Sequence, residues 1–401
     1  MVAIGCRLRQ AGMLAAMLVA TAPWPAVAQD DEAVYQQRLG QMLQSGGLFT
    51  DYAPLEVVPG SARARPWPML RESARTIEAQ ALDAAVAYAA ANRSTALIVW
   101  RGGKLELERY FGDTTPATPL VAKSLSKPLT AIAIGRAMAL GRIRSLDQPV
   151  ADFITEWRGT DKASMLLRHL LDMRSGLLEQ STSPDPDSPL NRAYLSPRHG
   201  DYLIHHYPLT DPPGSRYGYS NATSELVALV IERATGRRYA EFVGNEILAP
   251  LGLPGGEIWV DREGGLAHSG CCMRLPARSW LGLAVLLLQD GVANGHRLLP
   301  KGYVDQMRRG TEANPHYGLG IWLAGTYAER RGFGAPGRPG PKVLHSEPYL
   351  DRDLFLFDGN SNQVVYVSPA TQMVILRTGE TPPKSPEWDN SRLPNLLIAG
   401  V

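Results

Sequence analysis

Strand-forming runs stand at both ends of this chain, and helical periodicity fills the space between them. Residues 95–100 and 105–111 are rich in β-branched and apolar side chains and flank Gly102-Gly103, which reads as a hairpin. The second run alternates apolar with charged residues, as a strand with one wet face should. At the other end, residues 353–357, 363–367 and 373–377 repeat the signal, with a Gly/Asn-rich turn at 358–362. The spacing between these ends predicts helices over 77–91, 124–140, 168–173, 224–235 (stopped by Gly236) and 280–290. Two strand groups so far apart in sequence most economically complete one sheet. The expected fold class is therefore α/β of the α+β kind: a central antiparallel sheet flanked by helices, with a mostly helical region inserted over about residues 140–280. Residues 179–216, dense in Pro, Ser and Asp, read as a loop-rich lid.

The flanks are expected to be simpler. Residues 29–75 read as an N-terminal extension with a helix over 31–43 and an extended surface arm over 54–68. Residues 76–380 form the main domain, and 381–401 a C-terminal tail. Residues 1–28 have the three parts of an export signal: Arg7 and Arg9, an apolar run over 11–22, and the small-x-small site Ala26-Val27-Ala28. That run is too short to span a bilayer, which takes roughly 20 apolar residues. The expectation is a cleaved signal, a mature chain from Gln29 with no transmembrane anchor, and a periplasmic or secreted location.

Charge narrows the partners. The 401 residues carry a formal net charge of +2 without a basic run, which argues against nucleic acid. Three cysteines make no disulfide framework. Cys6 would leave with the signal, and Cys271-Cys272 are expected as two small packed side chains, since neighbours bridge only with strain. His205-His206 have no ligand partner at metal spacing, so no metal is expected. Asp147 and Asp152 read as caps and surface charges. His345-Ser346-Glu347 lacks the elbow that a Ser-His-acid site needs.

Ser124-Leu125-Ser126-Lys127 carries more chemistry. Serine needs a base to act as a nucleophile. Three residues is nearly one helical turn, so Ser124 and Lys127 share a face. A desolvated lysine there can take up the serine proton. At a helix start the serine's own N–H can face a developing oxyanion. By itself the pattern is common, and context must raise it. Tyr219-Ser220-Asn221 stands just before the 224–235 helix. Tyr219 offers a second proton carrier, with Tyr217 as its rival. The Asn221 amide offers a hold on Lys127 or on a substrate carbonyl. Gly359, at the turn of the last hairpin, lets a strand edge come close to the serine.

Taken in order, these phrases resemble the serine β-lactamase and penicillin-binding protein superfamily. The similarity is nearest to its branch of class C-like esterases and 6-aminohexanoate-dimer hydrolases. The phrases that carry it are residues 124–130, 170–176, Pro213-Gly214 with Tyr219-Ser220-Asn221, Gly264-Gly265 with Cys271-Cys272, and residues 359–363. The resemblance implies a β-lactamase/transpeptidase-like fold, Ser124 as acylated nucleophile, and Lys127 as base or as activator of Tyr219. It implies that Tyr219 protonates the leaving group and later activates water. It also implies an oxyanion hole from the backbone amides of Ser124 and Asn360, with Asn221 and Gly359 on the substrate. No cofactor is implied, and the partner is a small ester or amide. One departure bears on substrate. The terminal strand of β-lactamases and transpeptidases carries Lys-Thr-Gly, whose cation binds a carboxylate; here Phe357-Asp358-Gly359 stands, an aromatic and an acid expected to repel that carboxylate. An ester or linear amide is therefore favoured over a D,D-peptidase or β-lactamase substrate. A binding homologue without activity is the other alternative, and it would have no need of all three residues Ser124, Lys127 and Tyr219.

Overall fold

The computed structural model describes residues 1, 24–45, 49, 51–180 and 185–401. The expected export signal falls mostly on residues 2–23, outside the described residues. The helices that matter for the site are α1 (Trp24–Gln44), α2 (Ala79–Ala91), α3 (Ser126–Ala139), α4 (Leu167–Leu171), α5 (Pro189–Leu195), α6 (His199–His205), α7 (Asn221–Thr235), α8 (Ala277–Leu288) and α9 (Arg392–Ala399). The strands are β1 (Leu55–Val58), β2 (Ser94–Arg101), β3 (Lys104–Tyr110), β4 (Leu120–Val121), β5 (Gly256–Trp259), β6 (Met273–Leu275), β7 (Trp322–Leu323), β8 (Phe355–Gly359), β9 (Gln363–Ser368) and β10 (Met373–Gly379). No described helix is long and apolar enough to cross a membrane.

The two ends of the sequence meet in one antiparallel sheet of order β3-β2-β10-β9-β8-β7. The join is β2 against β10, with Ile98 opposite Leu376 and Trp100 opposite Val374. Both faces of this sheet are covered, which explains the unbroken apolar runs of its central strands. Ala96, Ile98, Trp100, Val365, Val367, Val374 and Leu376 face a large core shared with α3, α7 and α8. Leu97, Val99, Val364, Tyr366 and Ile375 face a second core closed by α2 and α9. The residues expected as a tail thus end in a helix that seals the back of the sheet, with Leu393 and Leu397 fully buried.

The N-terminal extension also departs from expectation. Part of the arm is strand β1, which pairs with β5 in a second sheet of order β1-β5-β6-β4. Val58 is buried there, so the arm holds a short strand where surface coil was expected. Helix α1 docks through Tyr35 and Leu39 onto Phe49, Tyr52 and Trp259. The Arg38 guanidinium donates to the carbonyls of Leu195 (3.1 Å), Ala53 (3.1 Å) and Asp261 (2.8 Å). Among the described residues of the 179–216 stretch, α5 and α6 are helices where a loop-rich lid was expected.

Candidate active site

The end of β8 and the start of α3 bring the site together. A single 3-10 turn over residues 123–125 leads into α3, and Pro128 sits in its first turn, where no intrahelical bond is lost. Lys123 takes φ +52°, a left-handed conformation that costs a side-chain-bearing residue about 1–2 kcal/mol. The Lys123 ammonium lies over the Tyr52 ring at 5.7 Å, and its burial pushes its pKa down. Gly359 packs directly on the serine. A Cβ at residue 359 would lie 3.0 Å from the Ser124 nitrogen, 3.1 Å from that of Leu125 and 3.0 Å from the Ala122 carbonyl. Glycine is the residue that permits this approach.

Two side chains converge on the hydroxyl. Lys127 Nζ donates to Ser124 Oγ at 3.1 Å, and the Tyr219 hydroxyl donates to the same atom at 3.0 Å. Lys127 is 2% exposed. Its ammonium also donates to Asn221 Oδ1 at 2.7 Å and to the Gly270 carbonyl at 3.0 Å. It lies 4.8 Å from the centre of the Tyr219 ring. Asn221 is thus on the lysine, which selects the first of its two expected roles. The rival tyrosine is excluded by its partner: Tyr217 is buried and donates to the Phe333 carbonyl at 3.0 Å.

A model of the family described as beta-lactamase matches residues 79–388. The chain belongs to the beta-lactamase family. Among curated relatives of this beta-lactamase-family chain, the 6-aminohexanoate-dimer hydrolase of Paenarthrobacter ureafaciens is 27% identical over 226 residues, 54% of this chain and 57% of that protein. The match thus spans little more than half of the relative's length. Among solved structures, a Bacillus anthracis protein described as a candidate 6-aminohexanoate-dimer hydrolase superposes with TM-score 0.65 at 20% identity, covering 90% of this chain and 93% of that one. EstCE1, described as a hydrolase with promiscuous acyltransferase activity, gives TM-score 0.59 at 17% identity, covering 80% and 98%. These likenesses show a β-lactamase/transpeptidase-like fold with mixed helices and antiparallel sheet.

Within this beta-lactamase-family frame two expectations are corrected. Cys271 and Cys272 are joined by a disulfide, not packed as separate thiols. Asp358 does not project toward the serine. Alternation along β8 sends Phe357 into the main core and Gly359 onto Ser124, so Asp358 points to the opposite face, where Asn390 hydrogen-bonds it. Burial pushes its pKa up to about 7. The strand therefore carries Phe357 where the carboxylate-binding cation would stand, and turns its acid away from the serine.

The turn after Gly359 holds Asn360 as its first residue, and Ser361 (φ +65°) and Asn362 (φ +55°) are left-handed. Buried Arg377 braces that turn by donating to the carbonyls of Ser361 (2.7 Å) and Asn362 (3.0 Å). Sequence reasoning missed this arginine, because nothing in a strand sequence marks an inward charge. The Trp322 ring stacks on Tyr219 with centroids 6.2 Å apart, and Phe333 adds a ring at 5.4 Å, so both form an aromatic wall behind the phenol. The remaining charged motifs are structural. Asp147 pairs with Arg168, and Asp152 with Arg144 at 2.7 Å. Ser346 donates to Asp389 while His345 faces the Val343 carbonyl, which rules out the Ser-His-acid alternative. His205 and His206 are exposed, with ring centroids 6.3 Å apart. Among the described residues one group has donor atoms close enough to suggest a metal: His199, Glu225 and His268. The two imidazoles are stacked at 3.9 Å, so their lone pairs run side by side and do not converge.

Proposed function

We propose that this protein is an exported serine hydrolase that cleaves an ester or a linear amide through an acyl-enzyme on Ser124. The observation that carries the reading is the convergence of Lys127 and Tyr219 on one serine hydroxyl, at 3.1 and 3.0 Å. With one proton already lost from the Lys127–Tyr219 pair, Ser124 Oγ attacks the substrate carbonyl carbon and its proton fills that vacant place on the pair. The two groups share contacts and act as one proton-carrying unit. The tetrahedral oxyanion is met by the N–H groups of Ser124 and Asn360, which the Gly359 contact brings together. Tyr219 then protonates the leaving alcohol or amine. Water activated by the same phenol attacks the acyl-enzyme and frees Ser124. Asn221 holds Lys127 Nζ in reach throughout. The absence of a cation at Phe357 favours substrates without a carboxylate at that position, and the hydrolase names of similar proteins agree with ester and amide chemistry. Export rests on the signal pattern over residues 1–28.

The test is exposure of the secreted chain to a fluorophosphonate, followed by intact-mass measurement and peptide mapping. One adduct on Ser124 is expected, absent in Ser124→Ala, with the mature chain starting at Gln29. An adduct on another serine, or none on folded protein, would sink the proposal.

A further inference from the structure

Lys127 is gripped by two acceptors that belong to one helix-and-turn unit. Asn221 opens α7 and binds the ammonium directly. Glu225 stands one turn later on the same face. Its Oε2 accepts the Gly270 N–H at 3.1 Å, and the Gly270 carbonyl is the acceptor 3.0 Å from Lys127 Nζ. The turn is seated firmly on this helix. Ser269 donates to the Ser224 carbonyl at 2.8 Å and accepts the Ala228 N–H at 3.2 Å. A Cβ at residue 270 would lie 2.9 Å from Ser224 Cβ and 3.0 Å from Glu225 Oε1. Glycine is thus required for the contact.

Glu225 is 2% exposed; burial pushes its pKa up, while the Gly270 N–H and Lys127 favour its charged form. From α6 His199 faces it, and from the 269–271 turn His268 Nδ1 lies 3.8 Å from Oε1. Burial drives both imidazoles well below their ordinary pKa, so neither supplies a cation. Cys271 Sγ lies 3.7 Å away in the disulfide. Tyr52, Tyr194 and Tyr239 are held protonated by burial. Arg38 faces the histidines from α1, but its guanidinium is taken up by three carbonyls. Lys127, one peptide away, is the cation left to the carboxylate.

We infer that Glu225 is a positioning residue for the reaction proposed above: it holds the Gly270 carbonyl on the Lys127 ammonium and supplies the buried negative charge that balances it. The carboxylate fixes the Gly270 N–H, and so fixes the orientation of the residue whose carbonyl, in the next peptide unit, meets Lys127. The inference rests on Lys127 carrying the serine proton. Glu225→Gln keeps an acceptor for Gly270 but removes the charge. The proton then leaves Lys127 more easily, and the reaction profile moves to lower pH. Glu225→Ala removes acceptor and charge together. A purely structural role would alter stability or amplitude and leave the midpoint in place.

The experiment is the rate of fluorophosphonate labelling of Ser124 between pH 5 and 10, on the full chain, for wild type and both variants. Glu225→Gln is expected to reach within about threefold of the wild-type maximum, with its midpoint lower by about half a pH unit or more. Glu225→Ala is expected to lose about tenfold or more at every pH. A labelled wild type whose profile superimposes on that of Glu225→Gln overturns the inference alone. A folded wild type that is not labelled at Ser124 overturns both readings together. The Gln variant changes no side-chain volume of note, so the test stands even if the Ala variant fails to fold.

Discussion

Tyr217 and Tyr219 stand two positions apart in the same loop, and their partners separate them. One phenol donates to a backbone carbonyl inside the aromatic cluster; the other reaches the Ser124 hydroxyl. Tyr219→Phe is expected to slow turnover by about 100-fold or more, the usual range for loss of a proton carrier. Tyr217→Phe should leave the rate within a few fold and cost about 1 kcal/mol of stability, the value of one hydrogen bond. Steady-state rates and thermal melts of the two variants check this, and equal rates would mean the phenols have been assigned the wrong way round. Ser124, Lys127 and Tyr219 were legible in the sequence because their spacing matches a known order of motifs. Gly270 and Glu225 were not. A backbone carbonyl leaves no mark in a sequence, and a glutamate inside an amphipathic helix reads as a wet-face residue until its burial is seen.

Strand β8 and the turn behind it lie against the start of α3. Gly359→Ala would put a methyl group 3.0 Å from the Ser124 nitrogen, and the backbone on either side has no side-chain end to move. The strand must shift by a few tenths of an ångström, and a loss of about 10- to 100-fold in labelling rate is expected. A Gly359→Ala rate equal to wild type would show that this approach is not needed. Arg377 acts on the same turn from below. It is fully buried, and burial lowers its pKa to about 10. Arg377→Met leaves the Ser361 and Asn362 carbonyls without their donor. It should cost about 3 kcal/mol or more in chemical denaturation and slow labelling as well. Most elements were legible at this scale. The helix over 224–235 was placed three residues short at its start, because α7 begins at Asn221, inside the motif itself. The strand over 55–58 was missed because the prolines around it imitate an open arm.

At the scale of the whole molecule, packing ties the two flanks to the body. Leu393 in α9 is fully buried against the back of the sheet, so Leu393→Ala should cost about 2–5 kcal/mol. An unchanged denaturation midpoint would mean that the helix is only loosely docked. Stability should also depend on pH through buried histidines. Burial, aided by Arg174 for His169 and by Arg331 for His345, lowers both pKa values to about 4 from the ordinary 6.5. The fold favours the neutral rings. Their contribution is full above about pH 6.5 and is lost as the pH falls toward about 4. His345→Gln should therefore melt with a smaller drop between pH 7.5 and pH 5 than wild type does; equal drops would discount the ring. By itself the sequence determined the order of strands and helices, the join of its two ends and the residues that meet around Ser124, because periodicity and motif order are written along the chain. The tertiary structure alone decided which face Asp358 takes, which tyrosine meets the serine, and what holds Lys127 in place. Those are contacts between segments tens to hundreds of residues apart, and only the packing of β8, α3 and α7 against one another brings them within reach.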